Sequence, residues 1–512
     1  MAINVSLSTS ALLPFKPDIV NSPSQKCFSL QFPRQTYSKS SHKTPSSLKV
    51  SSKSTDSLSS TITKLEEGKS PVPNNSENQY PKITIRNIAD KWQEIHGKNN
   101  WSGLLDPMDP ILRSELIRYG EMTQATYDGF FFDQYSQYCG TCRYMHLEFF
   151  QKLGLDHLGY YVSRYLFATS TLKFPKFFRK SVFPTKWSSN ANWIGYVAVS
   201  NDETTARLGR RDIVICWRGT VTGLEWLEDL MSFQKPISDY KIQSPEPNVK
   251  AESGFLDLYT DKDPSCRYCK FSAREQILAE IKKLTEKYPG EELSITITGH
   301  SLGGALAVLS AFDIAETALQ KMEDSKRVKV CAFTFAGPRV GNVRFRERME
   351  KLGVKVLRVF NVHDVVPKSP GLLLNEKLPD AALKVVEGLP WCYTHVGVEL
   401  ALDHTNSPYL KEHASLPNAH NLEAQLHLLD GYHGKGTKFE LAIERDIALV
   451  NKSSDFLKDE LLVPPSWKQD ENKGMVFQNG RWVEPERPKP DDHSSDVHHH
   501  LQKVGLLLNS SE

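Results

Sequence analysis

The sequence of 512 residues has no apolar run that approaches the roughly 18 residues of a membrane-spanning helix. Charged residues make up 24% of the chain and hydrophobic residues 39%, which is the composition of a globular protein. The length allows one large catalytic domain with appended segments. Any contact with a membrane is therefore expected to be peripheral.

A strong excess of charge of either sign is also absent. The formal net charge is +2, whereas proteins whose main partner is nucleic acid normally present a strongly basic face. The sequence contains no P-loop, no G-x-G-x-x-G element and no internal repeat. These absences argue against nucleic-acid binding and against nucleotide chemistry.

Cysteine is scarce, with eight residues in the whole chain, which excludes a disulfide-stapled scaffold. Four of them form two C-x-x-C pairs, Cys139 with Cys142 and Cys266 with Cys269. The two pairs lie much farther apart in sequence than the ~15–20 residues usual in a zinc ribbon, so redox couples and plain thiols both stay open. The histidine run at 498–500 lies in a polar tail without groups to orient metal ligands. We predict no metal and no cofactor.

Acidic residues and arginine are nearly missing from the first 60 residues, which contain two aspartates and one arginine. This serine-rich segment cannot bury enough apolar surface to fold alone, and it lacks the apolar region of a secretory signal. It is typical of a chloroplast transit peptide, although an ordinary disordered tail has a similar composition. We therefore predict a transit peptide at 1–75, an α/β-hydrolase domain at 76–480 and a polar C-terminal tail at 481–512.

Short β-branched and aromatic runs bounded by polar loops predict strands. Helical or loop segments separate these runs, and such alternation predicts a mostly parallel central sheet with helices on both faces. Helices are predicted before the sheet, at 83–101 and 110–120. The predicted strands are 193–200, 212–217, 293–298, 328–335, 354–361 and 391–402.

The strongest chemical signal is a G-x-S-x-G pentapeptide. A predicted strand precedes it and an apolar helical run follows it, which is the setting of a nucleophile elbow. Glycines at the outer positions let strand and helix approach closely, and the first N–H of the helix is a candidate oxyanion donor. The alternative is a simple turn with a capping serine. The pentapeptide consists of Gly299, His300, Ser301, Leu302 and Gly303.

A serine hydroxyl needs a base that takes its proton and a carboxylate that orients the base, and in this fold the order is serine, acid, histidine. Asp364 follows the predicted strand at 354–361, as a catalytic acid should, although a turn residue is the alternative. His420 ends a loop and opens a helical stretch, so it is the predicted base, with His427 second. The other histidines considered are His395, His404, His413 and His433.

A second oxyanion donor is expected in the loop after an earlier strand. Thr220 follows the predicted strand at 212–217 and offers both an N–H and a hydroxyl. The amphipathic piece at 222–231 that comes next is a candidate lid over the site. An ordinary surface helix is the alternative.

Four motifs carry a resemblance to a known family. They are W-R-G-T at 217–220, G-H-S-L-G-G at 299–304, A-G-P-R-V-G-N at 336–342 and N-V-H-D-V-V-P at 361–367. Together they resemble the class 3 lipases and, more closely, the plant class I phospholipases A1. The similarity extends from about residue 92 to residue 433.

The resemblance implies hydrolysis of the sn-1 acyl ester of phosphatidylcholine, and also of plastid galactolipids or triacylglycerol, in the chloroplast and without a metal. It implies that Ser301 is the nucleophile, Asp364 the acid and His420 the base, with Thr220 and Leu302 supporting the oxyanion. Two other functions stay open: a small-ester esterase or acyltransferase, and a lipid-binding scaffold of the same fold without turnover. The expected partners are membrane lipids.

Overall fold

The computed structural model describes residues 86–169, 191–221, 233–318, 328–370, 392–468, 475–487 and 494–507. Its strands are β1 (Tyr160–Ala168), β2 (Asn192–Ser200), β3 (Arg211–Trp217), β4 (Gln234–Pro236), β5 (Lys250–Glu252), β6 (Leu293–His300), β7 (Lys329–Phe335), β8 (Lys355–Asn361), β9 (Val398–Leu402), β10 (Val476–Gln478) and β11 (Arg481–Val483).

Its α-helices flank these strands in sequence and in space. They are α1 (Arg86–Ile95), α2 (Pro110–Asp128), α3 (Phe149–Lys152), α4 (Asp202–Leu208), α5 (Ser253–Thr260), α6 (Ala273–Lys287), α7 (Leu302–Asp313), α8 (Val343–Lys351), α9 (Leu416–Ala419), α10 (Leu422–Gly431) and α11 (Ser494–Lys503). None of the helices in the described ranges has the length and apolar content to cross a bilayer.

Seven strands form the central sheet in the order β1-β2-β3-β6-β7-β8-β9. β1, β2 and β3 pair antiparallel, and the pairs from β3 through β9 are parallel. The predicted mostly parallel sheet of an α/β-hydrolase is therefore confirmed. Parallel strands place their carboxyl ends at one edge, which is where sites are built in such folds.

Side chains alternate between two apolar layers along each central strand. Ile213, Ile215 and Ile297 belong to the core on the side of α5, α6 and α7. Val214 and Phe333 belong to the core on the opposite side, which also contains residues of α2 and α10. The sheet is buried on both faces, and each fully buried aliphatic side chain contributes about 1.5–3 kcal/mol to stability.

Two strand predictions need correction. β1 was not predicted, because the strand carries the buried Arg164, whose guanidinium pairs with Glu280 of α6 at 2.6 Å, and a charge within a run hides its apolar pattern. The strand predicted at 391–402 begins only at Val398. Gly397, with φ of +75°, lies just before it, and this left-handed residue ends the irregular loop that precedes the strand.

The C-terminal segment predicted to be a polar tail contains a packed helix. Val497 and Leu501 of α11 are buried against Ala279 of α6, and Asp496 pairs with Arg164 at 2.7 Å. The spacing of the two apolar residues by four places them on one helix face, although polar residues and three histidines surround them in the sequence. The division of the chain at 75 and 480 stays a prediction.

The carboxylate of Asp212 in β3 is fully buried. It accepts hydrogen bonds from Tyr119 and Tyr160 at 2.8 Å and from Ser294 and Thr296 at 2.8 and 2.7 Å. Burial alone would raise the pKa of Asp212, but nearby Arg210 and Arg118 hold it well below its usual value. The carboxylate therefore stays ionised and ties α2 to three strands of the sheet.

We expect Asp212→Ala to lower the free energy of unfolding by about 3–5 kcal/mol, because it removes a buried carboxylate that, together with Glu115, balances the charges of Arg118 and Arg210. The control is Asp202→Ala, since that side chain is 94% exposed and its ion pair with Arg211 should contribute less than about 1 kcal/mol. Chemical denaturation of both variants measures the difference. Equal losses would contradict a role for the buried carboxylate.

The same carboxylate predicts a dependence of stability on pH. Because the native pKa of Asp212 is depressed, its stabilising contribution is fully present above the unfolded aspartate pKa of about 3.9 and is lost as the pH falls below that value. Unfolding measured between neutral and strongly acidic pH should show a shallower acid loss in Asp212→Ala than in the unsubstituted protein.

Candidate active site

Ser301 occupies a left-handed turn between β6 and α7. Its φ is +59° and its ψ is −130°, a conformation that costs a non-glycine residue about 1–3 kcal/mol. The close approach of strand and helix requires glycine on either side. A Cβ atom on Gly299 would lie 2.2 Å from the carbonyl oxygen of Gly303, and one on Gly303 would lie 2.5 Å from that of Trp217.

Asp364 and His420 form a buried hydrogen-bonded pair. Nδ1 of His420 lies 2.7 Å from Oδ2 of Asp364, and the other carboxylate oxygen accepts the backbone N–H of Val366 at 2.9 Å. Asp364 follows β8, and His420 lies between α9 and α10, where the side chain of Asn421 caps α10. The carboxylate selects the tautomer with the proton on Nδ1, so Nε2 is left as the basic atom.

Ser301 and His420 line the same cavity, which has a volume of about 570 Å³. Among the described residues, neither Oγ of Ser301 nor Nε2 of His420 has a hydrogen-bond partner, although both side chains are buried. Buried polar atoms without partners are rare in folded proteins. The nucleophile and base candidates are thus both available to a molecule in the cavity.

The side chain of His300 links the Ser301 turn to His420 and to α2 by hydrogen bonds. Its Nε2–H donates to the backbone carbonyl of His420 at 2.8 Å, its Nδ1 accepts the hydroxyl of Tyr127 at 2.7 Å, and the two imidazole rings lie 4.5 Å apart. Burial, with a smaller effect from His420, holds the pKa of His300 well below its usual range. His300 is therefore a neutral brace between α2, the turn and the base.

The candidate oxyanion donors lie beside the turn. Leu302 is the first residue of α7, so its N–H has no acceptor within the helix. Thr220 lines the cavity and follows Gly219. The carbonyl of Gly219 accepts a hydrogen bond from the guanidinium of the buried Arg218 at 2.8 Å. Fixing that carbonyl also fixes the opposite direction of the Thr220 N–H in the same planar peptide. The lid predicted at 222–231 lies outside the described residues.

The remaining histidines have other partners. His395 lies in the loop before β9 and bonds the carbonyl of Pro367 at 2.7 Å. His427 bonds Ser407 at 2.8 Å, and burial lowers its pKa to about 4. His433 contacts Arg113 and the carbonyl of Glu440. His413 is exposed.

His363, Asp403 and His404 form a cluster whose ligating atoms lie within 4.8 Å of one another. Nε2 of His363 lies 3.0 Å from Asp403, while both ring nitrogens of His404 already contact other groups, the side chain of Asn361 and the carbonyl of Glu412. The prediction that catalysis needs no metal is not tested by this cluster.

The C-x-x-C pairs flank β1. The thiol of Cys142 contacts the hydroxyl of Tyr165 at 3.4 Å, and burial raises the pKa of Cys142 to about 11. Contact with Cys266, together with burial, also raises the pKa of Cys269. Thiols held in the protonated form are poor nucleophiles, so Cys142 and Cys269 are unfavourable as attacking thiolates, while the roles of the two pairs stay open.

The structure brings together every residue predicted for the site, and their catalytic roles stay predictions. It adds Tyr127 and Arg218, which the sequence analysis did not single out as positioning residues. Arg218 lies within the W-R-G-T motif, so the motif carried a signal for it. Tyr127 lies near the end of a long helix and has no such local signal.

We expect Ser301→Ala to reduce hydrolysis of a soluble p-nitrophenyl ester by about ten-thousand-fold or more, because no other group in the turn can form the acyl-enzyme. Asp364→Asn should also cause a large loss, since an amide no longer selects the reactive tautomer of His420. Asp403→Asn, at a partly buried aspartate that does not line the cavity, is the control and should retain activity. Activity within tenfold of normal in Ser301→Ala would rule out this nucleophile.

Tyr127→Phe tests the brace. Loss of the hydroxyl removes the hydrogen bond to His300, so we expect kcat to fall by about fivefold to tenfold with little change in KM, as one neutral hydrogen bond is lost. Tyr165→Phe loses a comparable hydrogen bond to the carbonyl of Tyr144, at 3.0 Å, and should leave kcat unchanged. Equal effects in both variants would mean that Tyr127 contributes stability alone.

Comparison with known proteins agrees with this geometry. A profile of class 3 lipases matches residues 214–374. Phospholipase A1-Igamma2, chloroplastic, of Arabidopsis thaliana is 62% identical over 427 residues, which cover 82% of this chain and 81% of the relative. Phospholipase A1-Igamma1, chloroplastic, of the same plant is 61% identical over 426 residues, covering 82% and 83%.

A more distant relative also matches most of the chain. Phospholipase A1-II 6 of Oryza sativa subsp. japonica is 41% identical over 416 residues, which cover 79% of this chain and 97% of the relative. The chain therefore belongs to the class 3 lipase family and, within it, to the chloroplastic phospholipases A1 of the I-gamma type, which makes it a carboxylic ester hydrolase of the α/β-hydrolase fold.

Proposed function

We propose that this chain is a phospholipase A1 that releases fatty acid from the sn-1 position of phosphatidylcholine, and also from galactolipids or triacylglycerol, by a Ser301–His420–Asp364 triad. The single observation that carries the proposal is the 2.7 Å hydrogen bond from His420 to Asp364 in the wall of the cavity that contains Ser301. The names of the chain's relatives support the same activity.

The reaction proceeds in two halves. Nε2 of His420 takes the proton of Ser301 while Oγ attacks the ester carbonyl, and Asp364 stabilises the imidazolium that forms. The N–H groups of Thr220 and Leu302 hold the oxyanion. Collapse expels the lysolipid alcohol, which receives the proton from His420 and leaves an acyl group on Ser301.

Water completes the cycle. His420 now takes a proton from a water molecule, the resulting hydroxide attacks the acyl-enzyme, and a second oxyanion forms in the same place. Its collapse releases the fatty acid and returns the proton to Ser301. His300 takes no part in these proton transfers, because burial holds its pKa well below the usual value and keeps the ring neutral.

The membrane contact that this reaction requires is proposed to be peripheral. The described helices do not span a bilayer, and large apolar side chains are exposed near the cavity. Phe132, which lines the cavity, is 38% exposed, and Leu416, which precedes the cavity residue Pro417, is 52% exposed. Apolar groups at the mouth of a lipase site favour contact with the lipid surface.

Two other functions make different predictions. A lipid-binding scaffold would keep its biological effect after Ser301→Ala, whereas an enzyme would lose it. A small-ester esterase or acyltransferase would turn over soluble esters, or transfer the acyl group to an acceptor other than water, without releasing fatty acid from dispersed lipid. The strained Ser301 turn and the paired His420 favour catalysis over the scaffold, because strain of this kind is maintained at functional sites.

The test is release of free fatty acid from dispersions of phosphatidylcholine, galactolipid and triacylglycerol by a protein lacking the first ~75 residues, beside its Ser301→Ala twin. We expect release from phosphatidylcholine that vanishes in the twin, with the freed acyl group coming from sn-1 in a lipid that carries different chains at the two positions. Equal release by the twin, or release from sn-2 alone, would contradict the proposal.

A further inference from the structure

One wall of the catalytic cavity is cationic although the substrate's acyl chains are apolar. Lys452 and Lys468 both line the cavity together with Ser301, and their side chains are 15% and 14% exposed. Lysine is seldom so deeply buried unless it is paired. We call Lys452, Lys468 and their shared partner Asp128 the cationic wall.

The two ammonium groups are held side by side on one carboxylate. Nζ of Lys452 lies 2.5 Å from one oxygen of Asp128, and Nζ of Lys468 lies 2.9 Å from the other. The backbone N–H of Lys468 also donates to the carbonyl of Lys452 at 3.0 Å. Each ammonium has three N–H donors, so each keeps donors for a second anion after contacting Asp128.

The ion pair between Asp128 and Lys452 favours the charged form of both groups. Burial opposes ionisation of Asp128, but the two lysines hold its pKa below the usual value. Burial likewise opposes protonation of Lys452, yet Asp128 and then Glu423 hold the pKa of that lysine above its usual value. Glu423 is itself engaged by the guanidinium of Arg445. Lys452 and Lys468 therefore share Asp128 at the cavity surface, and Lys452 also lies 3.6 Å from Glu423, which lines the cavity as well.

The cationic wall is fixed relative to the nucleophile by direct contacts. Asp128 is the last residue of α2 and follows Tyr127, whose hydroxyl bonds His300. His300 precedes Ser301 in the elbow. The lysines and the nucleophile thus lie at two ends of one short series of contacts, so a ligand that reaches both meets a defined geometry.

We propose that Lys452 and Lys468 bind the phosphate of a glycerophospholipid while its sn-1 ester lies at Ser301. The inference rests on the proposed function and adds the group that recognises the substrate's head. Lysine ammonium groups are common phosphate ligands and act as point charges. A neutral sugar head needs no such pair of cations, and packing an acyl chain against the two ammonium groups would cost the free energy of removing water from them.

The experiment compares the unsubstituted protein with Lys452→Met, Lys468→Met and the double variant. Methionine keeps much of the side-chain length and removes the charge. Three esters are used: dioleoylphosphatidylcholine and monogalactosyldiacylglycerol in detergent micelles, and p-nitrophenyl butyrate in solution. We expect kcat/KM for the phospholipid to fall by about tenfold or more in each single variant, since a charge-assisted hydrogen bond is lost, while the other two substrates change by less than about threefold.

Lys411→Met is the matched control. Lys411 also pairs with two carboxylates, Asp455 at 2.8 Å and Asp459 at 3.0 Å, but it does not line the cavity. The Lys411→Met variant should have an unchanged kcat/KM for all three substrates. If kcat/KM of the cavity variants falls equally for all three substrates and the midpoint of thermal unfolding is lowered, the lysines have a structural role and the proposal is overturned. The proposal would also be overturned if kcat/KM fell equally for phospholipid and galactolipid while that for p-nitrophenyl butyrate stayed unchanged.

Inorganic phosphate distinguishes a lipid headgroup from a free anion. At matched ionic strength, phosphate should raise KM for phosphatidylcholine, leave p-nitrophenyl butyrate unaffected, and lose its effect in the double variant. Phosphate that changes turnover of both esters through the lysines would indicate an effector site and contradict headgroup binding. No fatty acid from phosphatidylcholine with the unsubstituted enzyme contradicts the proposed function itself, whereas normal release by the lysine variants contradicts only the headgroup site.

Discussion

The left-handed turn at Ser301 is the constraint on which the rest of the site depends. Its strain is small beside the packing that maintains it: β6 and α7 are buried on both sides, and the flanking glycines leave no space for any side chain. The turn lifts Oγ out of the sheet and leaves the first N–H of α7 unpaired. The proposed nucleophile and the proposed oxyanion donor thus follow from a single backbone geometry.

Hydrogen bonds and ion pairs position the other polar groups around the Ser301 turn. Asp364 orients His420 by one buried hydrogen bond, and the neutral His300 holds the backbone of the base without competing for its proton. The charged groups nearby are paired with one another, as in Asp128 with its two lysines. The cavity therefore combines a neutral catalytic edge with a cationic wall, an arrangement suited to an amphiphilic ester.

Structure that is encoded locally could be predicted from the sequence. Strand, turn and helix around Ser301 follow each other in the chain, and Asp364 comes directly after a strand, so periodicity and turn chemistry were enough to find them. Features that depend on contacts between distant segments could not be predicted. Arg164 can lie inside β1 only because Glu280 comes from a distant helix, and Tyr127 and Lys468 reach the site from remote segments that carry no local pattern.

The central claim is that the turn, the base and the acid act as one nucleophilic unit. A fluorophosphonate probe tests it directly, because only an activated serine reacts rapidly with such a reagent. Mass spectrometry of the labelled protein should find the adduct on Ser301, with labelling greatly slowed in His420→Ala. An adduct on another serine, or labelling of His420→Ala at the normal rate, would contradict the account.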